Sequence, residues 1–261
     1  MAISRTETIV LNKWDFRETS LIVNFYTRQF GKISGLLKGI RTEPQKFASS
    51  LELFSYNEII LYKKDKTDLH LVTQADLKDN FDSIRTDISR ISSASTIVEL
   101  LNAVVPPEEQ NEEIFNLALE CFHELKSCEK PAKITTIFTI KILALAGFKP
   151  HLDSCVSCGA RIEGGCKFSF ALGGLLCPKC QAKDLKSRSI FRGTVATILH
   201  IERNDFKNTL NLGLNPQIKK ELDMVLNSFL TYHLEKELKS QKVADHLEFL
   251  RPGLAAPLKI E

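Results

Sequence analysis

Four of the chain's seven cysteines fall into two Cys-x-x-Cys pairs, Cys155/Cys158 and Cys177/Cys180, separated by eighteen residues. A Cys-x-x-Cys turn aims two thiolates at one point, and a hairpin between two such turns brings all four together. Four thiolates at this spacing predict a tetrahedral zinc site. The segment Lys167–Leu176 reads as the hairpin: Phe168 and Phe170 alternate, and Gly173-Gly174 can supply the turn. Gly159 follows the first pair, where a knuckle needs a permissive backbone. A four-thiolate shell leaves no open position, so one zinc per chain would hold structure rather than activate water. The competing reading is four reduced cysteines packed in a loop without metal. Cys166, between the pairs, is a more poorly spaced substitute ligand. Cys121 and Cys128 read as ordinary buried or half-buried thiols.

A second group of residues could bind an anionic polymer. Between positions 28 and 46 the chain carries Arg28, Lys32, Lys38, Arg41 and Lys46 against one acid, Glu43. Strand geometry puts Lys32, Ser34 and Lys38 on one face while Ile33 and Leu37 point inward. Ammonium groups on the outside of a small barrel, continued by Arg41 and Lys46 on a loop, suit a phosphate backbone. Trp14, Phe16, Tyr26, Phe30 and Phe47 are candidate stacking partners for bases. The bland alternative is a solvated charged face.

The elements that must position these groups change character along the chain. Residues 1–80 read as β, with apolar runs at Glu7–Leu11, Leu21–Thr27, Lys32–Lys38, Leu51–Tyr62 and Leu69–Thr73, separated by turn signals. Five strands in so short a stretch suit a closed barrel of the OB type, because closure removes exposed sheet edges. From about residue 82 the period becomes helical. One helix stops at Pro106-Pro107, a second spans Glu112–Lys126, and a third, Lys133–Ala146, is apolar almost all round and should lie at the centre. Two more follow near 192–203 and 216–239, the last with Ile218, Leu222, Val225 and Phe229 on one face. The expected fold is therefore α+β: an N-terminal five-stranded OB-like barrel at 1–80, then a helical domain at 81–261. The four-cysteine, zinc-ribbon-like hairpin is inserted at 152–184.

Composition narrows the function classes. At 43% hydrophobic and 26% charged residues, with net charge +3, the 261-residue chain reads as a globular protein. No run of about 18 apolar residues suggests a membrane span, and the N-terminus lacks a secretory apolar region. The expected location is the cytoplasm. No phosphate-cradling glycine loop, Lys-x-Asp-Gly element or His-Glu-x-x-His is present. His123, His200 and His233 stand isolated in helical stretches. The expectation is a binding protein rather than an enzyme.

The run Val10–Arg41 resembles the N-terminal signature of bacterial RecO recombination mediators, with Thr27, Gly31-Lys32 and Lys38-Gly39-Ile40-Arg41 at its marked positions. The order that follows is also similar: a strand at Leu51–Tyr62, a helical body, Cys155 to Cys180, and Phe229–Ser240. The loop Thr42-Glu43-Pro44-Gln45-Lys46 departs from the more basic loop of many members. The resemblance implies binding of single- and double-stranded DNA and annealing of complementary strands. It also implies partnership with RecR in loading RecA, and contact with the acidic C-terminal tail of the single-stranded-DNA-binding protein. Such a tail should seek an apolar groove rimmed by Lys or Arg in the helical body. The alternative is an RNA-binding or transcription-associated module built from an OB-fold and a zinc ribbon.

Overall fold

The computed structural model describes residues 2–43, 47–48, 51–63 and 67–234. The N-terminal part contains β1 (Ala2–Phe16), β2 (Ser20–Thr27), β3 (Gly31–Leu37), the two-residue β4 (Phe47–Ala48), β5 (Tyr56–Lys63) and β6 (Leu69–Asp79). Five of them close a ring in the order β3-β2-β1-β5-β6, and parallel pairing of β3 with β6 seals it. β4 is added beside β6. This is the connectivity of an OB barrel, as expected.

The strand limits differ from the apolar runs. β1 extends well past Glu7–Leu11 because it serves two neighbours: residues 2–9 pair with β5 and residues 8–16 with β2. A bulge between Val10 and Asn12 bends it from one partner to the other. The run beginning at Leu51 does not start as strand. Leu51 and Phe54 both adopt positive φ, and the chain turns there before β5.

Alternation sorts the barrel side chains. Val10, Val23, Phe25, Ile33, Leu37, Ile59, Leu61 and Val72 fill the interior. A Cβ at Gly35 would lie 2.6 Å from Val72 and 2.7 Å from Phe25, so the absence of a side chain there makes room for the phenyl ring. Ile9, Leu11 and Tyr26 instead face outward and join the core of the helical part. Tyr26 packs 6.0 Å from Phe115 and donates its hydroxyl to the Asn111 carbonyl at 3.2 Å.

The helices are α1 (Asp82–Arg85), α2 (Ile88–Val104), α3 (Glu112–Leu125), α4 (Pro131–Leu145), α5 (Arg192–Arg203), α6 (Phe206–Leu210) and α7 (Pro216–Leu234). Asp87 caps α2 by accepting the N–H groups of Ser89 and Arg90, and Asn111 caps α3 through Ile114. The apolar α4 starts at a proline, which suits a first turn. It is the central helix as expected, packed against α2, α3, α5, α6 and α7. In α7, Leu222, Val225 and Phe229 are buried and Ile218 is half-buried. Between α4 and α5 lies a small sheet of β7 (Lys167–Ser169), β8 (Gly174–Leu176) and β9 (Arg188–Ser189).

The segment joining α2 to α3 clamps the barrel. Glu108 donates its N–H to the Lys32 carbonyl at 3.0 Å. Gly31, at φ 63°, lets this segment approach so closely that a Cβ would lie 2.2 Å from the Glu109 carbonyl oxygen. Gly31→Ala therefore meets both backbone strain and a backbone collision. We expect it to cost about 2 kcal/mol, read as a lowered Tm, and an unchanged Tm would refute this account of the clamp.

Candidate metal centre and nucleic-acid interface

Each cysteine pair is shaped by backbone turns. Gly159, at φ 71°, donates its N–H to the Cys155 carbonyl at 2.8 Å, and Cys180 donates to the Cys177 carbonyl at 2.9 Å. The β7–β8 hairpin then folds one turn over the other. All four sulfurs lie within 4.8 Å of one another, with Cys158 and Cys177 3.8 Å apart. A disulfide would need about 2.0 Å. A regular tetrahedron of metal–sulfur bonds near 2.3 Å sets sulfurs about 3.8 Å apart. The donor set therefore fits a metal ion. Cys155, Cys177 and Cys180 are buried and Cys158 is exposed.

Local electrostatics favour a first thiolate. Burial would raise the Cys155 thiol, but N–H groups of Cys177, Ser157 and Cys158 outweigh it and bring it down to about 6. Cys180 is pushed up to about 11, chiefly by its hydrogen bond with Cys158. Negative charge settles first on Cys155, and a bound cation would draw out the remaining protons. Cys166 takes no part. It packs in the helical core, where burial raises its pKa, so its suggested role as a substitute ligand finds no support in the packing. Cys121 is fully buried and Cys128 half-buried, as expected. The hairpin is fastened to the body by Phe168, whose ring lies 6.3 Å from Phe229 of α7.

The basic residues of the barrel go to different places. Lys32 and Lys38 do flank the outward side of β3, whose burial alternates residue by residue. Lys38 is exposed. The Lys32 ammonium, however, donates to the Asn102 carbonyl of α2 at 2.7 Å. Arg41 folds back on the β1–β2 turn, pairing with Asp15 and donating to the Glu18 carbonyl. Arg28 is engaged inside the fold. It donates to Glu7 at 2.6 Å, to Glu112 at 2.8 Å and to Asn116 at 2.7 Å, and its guanidinium lies 4.7 Å over the Phe115 ring. Lys46 lies outside the described residues. Among the candidate stacking rings, Tyr26 and Phe47 are buried, Phe16 and Phe30 half-buried, and Trp14 exposed at 42%. A further exposed basic group, Lys183, Lys186, Arg188 and Arg192, follows the second cysteine pair.

Comparison with known proteins decides the family. The sequence profile of the recombination protein O N-terminal domain matches residues 1–81, and that of its C-terminal domain matches residues 85–242. The chain belongs to the RecO family. The DNA repair protein RecO of Desulforamulus reducens is 32% identical over 249 residues, covering 95% of this chain and 96% of its own. That of Desulfatibacillum aliphaticivorans is 33% identical over 241 residues, covering 90% and 93%. The RecO of Alkaliphilus metalliredigens is 31% identical over 233 residues, covering 89% and 94%. In this RecO-family chain the two profiles meet between the end of β6 and the start of α2. Among the described residues, no helix is long and apolar enough to cross a membrane.

Two substitutions separate the roles. Cys177→Ser should remove bound metal and lower Tm, whereas Cys166→Ala should leave metal content intact, as read by elemental analysis of freshly reduced protein. Arg28→Ala should cost about 2 kcal/mol through lost charge-assisted hydrogen bonds, with metal content unchanged. A stable Arg28→Ala protein would remove the inter-element role given to this residue.

Proposed function

We propose that this RecO-family protein acts in DNA repair by binding rather than by catalysis. In this reading it holds single- and double-stranded DNA on the barrel, anneals complementary strands, and with RecR assists the loading of RecA in the cytoplasm. The observation that carries the DNA reading is the pairing of a closed OB-type barrel, bearing exposed Lys38 beside Arg41, with family membership across both halves. Membership in a DNA repair family favours DNA over the RNA-binding alternative. Lys38 and Arg41 are the proposed phosphate contacts, with Lys46 in support; Lys32, expected among them, is instead engaged by the Asn102 carbonyl. The four cysteines would hold one structural zinc, since four soft thiolates in a closed tetrahedron suit that ion. About one zinc per chain is expected, and well below half an equivalent in reduced protein would overturn it.

A cavity in the helical body supports the reading that the partner's acidic tail docks there. An open cavity of about 960 Å³ lies among the N-terminal turns of α2, α4 and α7. Pro131, Leu212 and Leu214 contribute apolar lining, Arg90, Lys130, Lys133 and Lys219 contribute cations, and Asp87 and Glu129 contribute two acids, so cations outnumber acids two to one. Such a mixture supports docking of a peptide with apolar side chains and a terminal carboxylate. Lys130→Glu with Lys219→Glu should abolish salt-sensitive binding of that tail peptide. Retained binding would exclude the cavity.

The barrel reading is tested by salt dependence. Single-strand binding through about four phosphates gives a slope near −3 in log affinity against log salt. Lys38→Glu with Arg41→Glu should flatten it to about −1.5 and weaken binding alike across sequences, because phosphate contacts carry no base information. Tm should stay close to that of the parent. An unchanged slope would move the site elsewhere, first to the group around Lys183 and Arg192. Stronger binding of RNA at matched salt would favour the alternative module.

A further inference from the structure

The outer face of β1, β2 and β3 is divided in two. Residues paired across antiparallel strands share a face. At one end Tyr26 pairs with Lys32. This end is covered, because Tyr26 lies in the helical core and Lys32 reaches Asn102. At the other end Trp14 pairs with Ile22, and Ile22 with Leu36, so the three form an apolar row across the same face. Between the two ends Ser34 donates to Asn24 at 2.8 Å, a polar pair that separates them. Trp14 is exposed at 42%, Leu36 is half-buried and Ile22 is buried between them, and none of the three belongs to the buried clusters among the described residues. The barrel interior beneath them is filled by Val23, Phe25, Ile33 and Leu37, so the indole at position 14 is no part of that core.

Cations border the exposed Trp14 end of this row. Lys38 is exposed just beyond Leu36 on the same chain. Arg17 stands in the β1–β2 turn with its guanidinium 5.2 Å from the centre of the Phe16 ring. Arg41 is laid on that turn, its N–H donating to the Thr19 carbonyl at 3.3 Å. The nearby acids are Asp15, which pairs with Arg41, and Glu18. An exposed aromatic plane within a cationic border is complementary to a polymer with flat apolar bases on an anionic backbone.

We propose that Trp14 is the base-stacking platform of the barrel, taking an unpaired base of single-stranded DNA while Arg17, Lys38 and Arg41 hold the flanking phosphates. This rests on the barrel reading above and adds to it a contact with the bases themselves. Stacking needs an unstacked base, so the site discriminates single strands from duplex. Phosphate contacts alone do not.

Trp14 is the only tryptophan of the chain, so its emission reports on this site alone. Labelled oligonucleotide is titrated into the full-length protein, with anisotropy reporting binding and tryptophan fluorescence reporting stacking. Single-stranded DNA should quench the emission in step with anisotropy. A strand of abasic sites and a blunt duplex should bind without quenching. Trp14→Ala should bind single strands about tenfold more weakly, and Trp14→Phe should keep most of the affinity, both with unchanged Tm. Binding by anisotropy with unaltered emission and full affinity in Trp14→Ala would overturn the platform while leaving the barrel reading to its own salt test. Stronger quenching by RNA of the same sequence would overturn DNA as the occupant. No binding to any strand would overturn both readings.

Discussion

The placement of Arg28 between the barrel and the helices governs how the rest of the protein is arranged. Its guanidinium bridges Glu7 of β1 to Glu112 and Asn116 of α3 and lies on the Phe115 ring. Glu7 also accepts from Tyr56 of β5 and from Lys78 of β6. Burial would raise the Glu7 carboxyl, but hydrogen bonds from Tyr56, Arg28 and Lys78 outweigh it and hold the pKa below the ordinary value. The anion is therefore the form the fold prefers, and its contribution to stability is present above the ordinary carboxylate pKa and lost as pH falls through the lowered one. Through this knot the barrel is held in one orientation, with Ile9 and Tyr26 against the helices and Trp14 left outside.

That orientation explains what could and could not be read in advance. The cysteine pairs were legible because a knuckle is a local device: turn, thiolates and glycine all lie within a few residues. The central helix was legible from its all-round apolar surface, and the barrel from five short runs. The limits of β1 were not, because Arg5, Glu7, Lys13 and Asp15 interrupt its apolar residues while the strand continues as ladder between two partners. The five-residue α6 carries too short a pattern to announce itself.

Charge was the least legible feature. Arg28, Lys32 and Arg41 sit in one basic run, yet they have different neighbours. Arg28 and Lys32 meet α3 and α2, whose contacting residues are more than sixty positions away in the chain, while Arg41 meets a nearby turn. Strand periodicity gives the side on which a lysine stands and cannot tell what will later cover it. The same holds for rings: Tyr26 and Trp14 share a face, and only the docked helices distinguish the buried one from the exposed one.

The parallel seam between β3 and β6 sets the order in which this molecule can come into being. The ring has no intermediate size, since Ala2 pairs with Lys63 and Ser34 with Leu69. During synthesis at about 5–20 residues per second, β1 waits with an unpaired edge until β5 has left the ribosome, and β3 waits for β6. Such distant pairings are slow to find compared with neighbouring helices. The helical body, whose Phe115 and Phe122 receive Tyr26 and Phe54, gives the finished barrel a surface to settle on. The barrel is the first part to be made and among the last to be secured.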